Sequence, residues 1–303
     1  MKTNVLLLRA ITPIHVGTGQ GEGTIDLPIS RSSVTSIPNI PGSGLRGAMR
    51  AVCESNPELE QGAVEALFGP ESIRAEQDTF AGALALGDFN LLVMPVRSVQ
   101  GIYAMCTCPY LLNRFAEDHA ALAAGSRLPA SLLHDQLTAL VAPESVNLAG
   151  SKLGLEELDL SAQPSPLAAA WATYLAGRVF RGVQDENLRN SLTEAFQQRF
   201  VILSDEDFVY LAQTATEVRS RVSIDSTTGT AKKGALWYEE NLPAESILWG
   251  LVGVSHSRKR GSSFSDQALY AQLSALKLLM VGGKTGVGRG LCQLSWPDGA
   301  AHD

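Results

Sequence analysis

Hydrophobic and polar positions change period along this chain, and each change predicts an element. Residues 4–11 are a nearly continuous apolar run with no helical stripe, the pattern of a buried strand. Residues 12–36 are rich in Gly, Thr and Pro, and a loop of that length inside a compact domain is usually functional or mobile. Pro38 and Pro41 stop any strand. Gly42-Ser43-Gly44 then opens a helix to about residue 54, with Leu45, Met49 and Val52 as its apolar stripe. Residues 83–94 and 101–107 read as strands, with Pro95-Val96-Arg97-Ser98 between them. Helical patterns cover 109–125, 131–140, 164–177, 186–199 and 205–212. Residues 216–224 alternate as a strand, 225–229 turn, and 231–237 return as a hairpin partner. A strand at 247–255 follows, then a helix at 265–280 with Leu269, Leu273, Leu276 and Met280 on one face.

Strand, helix, strands, an insertion, then strand, helix, strand: this order predicts an α+β protein of split βαβ type, ferredoxin-like (RRM-like) in its core. The expected core is 1–111 with 214–303, carrying a β-hairpin at about 216–240. Residues 112–213 form a mainly helical insertion without a chemical signature of their own. The aromatic motif with which RNA-recognition domains stack bases is absent, so stacking on the sheet is not expected.

With 303 residues, 45% of them apolar, the chain can bury a large core. No apolar run approaches the ~20 residues of a membrane span, and the first residues carry no leader-cleavage pattern. Four cysteines form no CxxC pair and no disulfide framework, so a reduced, cytoplasmic protein is expected. The net charge of −7 argues against indiscriminate nucleic-acid binding. Charge is unevenly spread, however: residues 215–290 hold ten Lys/Arg and six Asp/Glu. A basic region on an acidic body suits a directed groove.

The chemistry concentrates near the C-terminus. Gly282-Gly283-Lys284-Thr285-Gly286-Val287-Gly288-Arg289-Gly290 places five glycines and two cations in nine residues, a loop suited to holding phosphate oxygens. A mononucleotide P-loop needs Gly at 278, where Leu stands, and a strand before the loop rather than a helix. The dinucleotide fingerprint also fails, its third glycine falling on Leu291 or Gln293. A polymer's phosphodiester remains; the plain alternative is a glycine-rich turn. Arg46 and Arg50 lie one turn apart near a helix start, which makes a phosphate clamp or a pair of solvated arginines. Arg97 sits at a turn, and Arg219 and Arg221 lie on the hairpin.

Four segments carry a resemblance: Thr12-Pro13-Ile14-His15-Val16-Gly17-Thr18-Gly19, Ile25-Asp26-Leu27-Pro28-Ile29-Ser30-Arg31, Ile40-Pro41-Gly42-Ser43-Gly44-Leu45-Arg46-Gly47, and Gly234-Ala235-Leu236-Trp237-Tyr238-Glu239-Glu240 with Leu242-Pro243. With the Gly-rich loop they resemble the RAMP superfamily of CRISPR proteins, and within it the repeated backbone subunit of the type III-B (Cmr) effector complex. Ser32-Ser33 and Asn241 depart from that pattern. The resemblance implies a subunit that stacks with copies of itself, and with other Cmr subunits, into a filament along a guide (CRISPR) RNA. Its hairpin acts as a thumb, and single-stranded target RNA is cleaved. It implies Asp26 as the catalytic and metal-binding residue. His15, Ser43, Arg46, Arg50, Arg97, Arg219, Arg221, Glu239, Lys284 and Arg289 are the expected RNA-binding set.

The residues are compatible with that chemistry. A lone carboxylate cannot cage a metal, but a divalent cation (Mg²⁺ or Mn²⁺) commonly takes one or two carboxylates and completes its shell with water and phosphate. RNA brings its own nucleophile, the 2′-OH, so positioning can supply much of the catalysis and yield a 2′,3′-cyclic phosphate and a 5′-hydroxyl. Three readings stay open on the residues alone: a nuclease subunit, a non-catalytic RNA-binding scaffold in which Asp26 only caps a turn, and a phosphate-binding NTPase.

Overall fold

The computed structural model describes residues 1–21, 23–71, 79–122, 128–132 and 138–296. The first half opens with β1 (Lys2–Ala10), β2 (Asn39–Ile40), α1 (Gly42–Ser55), α2 (Ala63–Phe68), β3 (Leu84–Leu86), β4 (Phe89–Arg97), β5 (Tyr103–Thr107) and α3 (Pro109–Leu122). The middle holds β6 (Ala139–Val141), β7 (Leu148–Ala149), β8 (Lys152–Leu155), β9 (Leu158–Pro164), α4 (Pro166–Val179), α5 (Glu186–Arg199), β10 (Phe200–Ile202) and α6 (Asp205–Thr214). The last part is β11 (Glu217–Ile224), β12 (Ala231–Asn241), β13 (Ile247–Val254), α7 (Asp266–Ser274), β14 (Leu278–Met280) and β15 (Leu291–Ser295).

One large sheet organises all of this except β11 and β12. Its order is β14-β15-β1-β13-β4-β5-β10-β6-β9-β8-β7, with β2 beside β4 and β3 beside β13. From β15 through β1, β13 and β4 to β5 every neighbour is antiparallel. The apolar run of β1 is buried along Val5–Leu8 because it lies between β13 and β15. Leu45, Met49 and Cys53 seat α1 on the core, one residue from the predicted stripe at Val52. Phe115, Trp171, Tyr174 and Trp249 pack edge to face at 6.0–6.4 Å, joining α3, α4 and β13 in a single apolar centre.

The structure corrects several expected elements. The helix expected over 265–280 ends at Ser274, and residues 278–280 form β14 instead. The cause is tertiary: β14 pairs with β15 and covers its outer side, and the Trp296 indole donates to the Leu276 carbonyl at 2.8 Å. The strand expected over 83–94 breaks at Gly87-Asp88 and resumes through Pro95 to Arg97. Pro95 is tolerated because β13 pairs only as far as Val93, so no ladder donor is missed there. Of the helix expected over 131–140, residues 133–137 lie outside the described residues, and 139–141 are strand β6. The middle third also contributes strands that local patterning did not reveal. β10 joins β5 in parallel, so this segment extends the sheet rather than hanging from it.

The hairpin β11–β12 stands apart as its own two-stranded sheet. Its tip is fastened by Asp225, whose Oδ1 accepts from the Thr227 and Thr228 amides at 2.8 and 3.2 Å. Those two amides hold its carboxyl below the ordinary range. Direct pairing puts Val218, Val222, Leu236 and Tyr238 on one face, all exposed, and Arg219, Arg221, Trp237 and Glu239 on the other.

Candidate nucleic-acid interface

The foot of the hairpin is where the long N-terminal loop and the Gly-rich loop meet. The N-terminal loop runs back along the outer edge of β12. Leu27 donates to the Tyr238 carbonyl at 3.0 Å, the Glu240 amide donates to the Leu27 carbonyl at 3.0 Å, and Ile14 pairs with Leu242. This edge pairing fixes Asp26. Its side chain is exposed, and Oδ2 accepts the Tyr238 amide at 2.7 Å. One carboxylate oxygen is thus held by backbone while the group as a whole faces solvent.

The Gly-rich loop closes over the same place. The Val281 amide bonds the Gly290 carbonyl at 2.8 Å and the Gly283 amide bonds the His15 carbonyl at 2.8 Å. Only glycine suits Gly282 and Gly290. Their φ values are +80° and +85°, and a Cβ would strike the carbonyl oxygens of His15 and Val281 respectively. Lys284 is itself held at φ +63°, with its side chain exposed.

Two neighbouring glutamates on opposite faces of β12 have contrasting surroundings. Glu240 is 2% exposed and fully bonded. Its Oε1 accepts from Arg31 at 2.5 Å and from the Thr216 hydroxyl at 2.8 Å, and its Oε2 accepts the Ile29 amide at 3.0 Å. Arg31 also donates to the Ala212 carbonyl, so this carboxylate ties the N-terminal loop to the hairpin and to the end of α6. Glu239 is 1% exposed. It faces the Arg221 and Arg289 guanidiniums at 3.6 and 3.8 Å, close enough for charge attraction but too long for hydrogen bonds. Glu239 Oε1, Arg221 Nη2 and Arg289 Nε are all buried without a hydrogen-bond partner.

The expected catalytic residue, Asp26, and the expected RNA-binding residues therefore divide. Asp26, His15, Arg219, Arg221, Glu239, Lys284 and Arg289 converge on the hairpin foot and the loop beside it. His15 is buried there, its Nδ1 2.7 Å from the Glu240 carbonyl, so its ring supports the loop from below. Arg219 pairs with Glu217 next to it on β11. Ser43, Arg46 and Arg50 lie on α1. Ser43 is exposed, but Arg46 is occupied by the Leu84 and Phe68 carbonyls at 2.6 and 3.0 Å. Burial, with Arg50 nearby, lowers its pKa. Arg50 bonds Glu54 and the Gly69 carbonyl. Arg97 pairs with Glu156 at 2.9 Å, toward the β8–β9 end of the sheet. Arg31 was not among the expected site residues; its sequence signal is its place at the end of the Ile25–Arg31 segment that carries the resemblance.

Among the described residues, no group of three or more His, Cys, Asp or Glu could hold a metal ion, and no helix is long and apolar enough to cross a membrane. All four cysteines are free and buried. Asp26 nonetheless offers a hard oxygen donor in the open, which fits a cation that draws the rest of its shell from phosphate and water.

The family model described as the RAMP superfamily matches residues 7–293. The chain is 28% identical over 295 residues to the CRISPR system Cmr endoribonuclease Cmr4 of Pyrococcus furiosus, covering 97% of this chain and 96% of that protein. It is 24% identical to the CMR subunit Cmr4 of Saccharolobus solfataricus, covering 95% and 94%. The crystal structure of oligomeric Cmr4 from Pyrococcus furiosus superposes with a TM-score of 0.72 at 24% identity, over 98% of both chains. A cryo-EM structure of the type III-B Cmr-beta complex bound to cognate target RNA contains a chain that superposes at 0.71 with 19% identity, over 98% and 97%. The match of a single family model to nearly the whole sequence makes this chain a member of the RAMP superfamily.

Proposed function

We propose that this protein is a guide-RNA-binding backbone subunit of a type III-B CRISPR effector complex, and that it cleaves complementary target RNA at Asp26. The observation that carries the reading is the setting of Asp26: an exposed carboxylate pinned by a backbone amide at the foot of a separate hairpin that carries Arg219, Arg221, Lys232 and Lys233, beside a glycine-lined loop with Lys284 and Arg289. The kinship to a named endoribonuclease and the fold shared with a subunit of a target-bound complex support it. The antiparallel order β15-β1-β13-β4, with α1 and α7 in the connections, supports a ferredoxin-like core, and the separate hairpin suits a thumb. Copies of the chain and other Cmr subunits are the expected partners, with guide RNA along the filament and single-stranded target RNA paired to it.

The chemistry follows from placement. The cationic loop and the hairpin hold the backbone on either side of one linkage, and the hairpin splays it so that the 2′-oxygen lines up with the phosphorus. Asp26 accepts the 2′-hydroxyl proton as the 2′-oxygen bonds to phosphorus; the bond from phosphorus to the 5′-oxygen breaks, and that oxygen takes a proton. The products are a 2′,3′-cyclic phosphate and a 5′-hydroxyl. Asp26 is also the residue that would hold Mg²⁺ or Mn²⁺, which when bound supplies positive charge for the phosphate oxygens. Sequence is read by base pairing, and the protein reads the backbone.

The bond from Tyr238 to Asp26 favours a second reading, in which Asp26 merely caps the β12 edge and the subunit is a scaffold. One experiment separates them. The complex is assembled with Asp26→Asn and given labelled target RNA. Retained binding with cleavage lost supports the nuclease; unchanged cleavage leaves the scaffold.

A further inference from the structure

Five buried polar atoms without hydrogen-bond partners gather around one face of the hairpin foot: Arg221 Nη2, Trp237 Nε1, Glu239 Oε1, Asn241 Oδ1 and Arg289 Nε. Direct pairing sets Arg221 opposite Trp237, and strand alternation puts Trp237, Glu239 and Asn241 in one row. Arg289 reaches that row from the Gly-rich loop. Three of the five are N–H donors, two of them on cations. Orphaned buried donors are rare in folded proteins, and each costs free energy unless a ligand satisfies it. A lone case has many explanations; three donors on one face of the hairpin foot, two of them on cations at one carboxylate, form a site.

We propose that Arg221, Arg289 and the Trp237 indole N–H form a seat for a single backbone phosphate, and that Glu239 is the positioning residue that holds the two guanidiniums either side of it. The proposal deepens the RNA-binding reading and rests on it. Charge decides the assignment. Two guanidiniums and one carboxylate leave a net single positive charge, which matches one phosphodiester. Glu239 is a like charge to phosphate, so it does not face one itself; its long contacts leave guanidinium N–H groups unspent for an incoming oxygen, and Arg221, with its side chain 29% exposed, opens the cluster to the surface. Trp237 adds a neutral donor that cannot be lost to a competing salt bridge. The seat lies one strand position from Tyr238, whose amide holds Asp26, so a phosphate bound here would set the register of the linkage beside that carboxylate.

The test uses the full chain and a labelled single-stranded RNA, with affinity measured across a salt series. Trp237→Phe is expected to weaken binding about fivefold, the scale of one neutral hydrogen bond, with the salt slope unchanged because no charge is removed. Removing only the arginines would strand a buried carboxylate, so the charge test is the triple R221Q/E239Q/R289Q. It should lose tenfold or more, roughly the worth of charge-assisted bonds, and its slope should shrink by about 0.7 for one phosphate on a single strand. Glu239→Gln alone should also lose affinity with a smaller slope, because it acts through the arginines. A loss with an unaltered slope makes Glu239 an RNA contact and overturns the positioning role. A triple variant that binds like the parent overturns the seat while leaving the RNA reading intact. A parent chain that binds no RNA removes both.

Discussion

The two faces of the hairpin foot are built from the same residue type, yet they have opposite surroundings. On one face Glu240 accepts three hydrogen bonds and holds the N-terminal loop, β12 and α6 together. On the other, Glu239 is equally buried and has only distant charges for company. A satisfied buried carboxylate is part of the fold; an unsatisfied one between two cations, next to a glycine-lined loop, leaves those cations with donors unspent. Burial alone does not separate them, and hydrogen-bond satisfaction does. His119 guards against overreading the rule. Its Nδ1 is also buried and unpartnered, but its ring stacks among Phe115 and Tyr174, with no cluster of unpartnered donors around it.

The contrast breaks most sharply with Glu240→Gln. That change leaves Arg31 without its charge partner and sets an amide N–H donor against the Ile29 N–H donor, and should cost about 3 kcal/mol in urea or thermal unfolding. Glu239→Gln should cost less than that, since it breaks no hydrogen bond and removes only the longer charge contacts to Arg221 and Arg289. If the two melt alike, the distinction between the faces is wrong. Next in size is Gly290→Ala, which combines a positive φ with a carbonyl in the path of the new Cβ. It should cost roughly 2 kcal/mol and weaken RNA binding more than stability, as judged by paired melts and binding curves. Acidification sharpens the His119 control. Burial, then Arg178, lowers its pKa below the ordinary 6.5, so the unfolded chain binds the proton more readily. Stability is therefore full above pH 6.5 and declines as pH falls from there toward the folded value; His119→Gln should flatten that decline in pH-dependent melts. The smallest effect is expected from Leu236→Ser on the exposed apolar face of the hairpin: stability within about 0.5 kcal/mol of the parent, while any loss of self-assembly by light scattering would identify that face as a contact.

Much of the fold was legible in local pattern. α5 occupies the very residues its periodicity predicts, and β1, α1, β11 and β13 differ from expectation by a residue or two. Apolar period and cap chemistry act over a few residues and need no partner. The failures are mostly short strands. β6, β7, β10 and β14 have only two or three residues, too few for a period to show, while β8 and β9 do alternate, at Leu153 and Leu155 and at Leu158, Leu160 and Ala162, a signal the local reading passed over. They exist because a neighbouring strand offers a ladder, as β15 does for β14 and β5 does for β10. The site divided in the same way. The sequence suggested a binding loop at residues 282–290 and a role for Asp26, and the structure brings the two together at the hairpin foot. Nothing in the order of residues said that Arg46 would be spent on two carbonyls, or that Arg31 would clamp Glu240.

By itself the sequence determined the class of fold, the family, and the inventory of cations, glycines and carboxylates brought to the hairpin foot. Tertiary structure decided which members of that inventory are free to act. Composition and spacing are properties of one chain segment, whereas a side chain's availability depends on whether a distant segment has already met its hydrogen-bonding need. Glu239 and Glu240 are adjacent in sequence, and only the opposite directions in which β12 points them separate the unsatisfied carboxylate from the satisfied one.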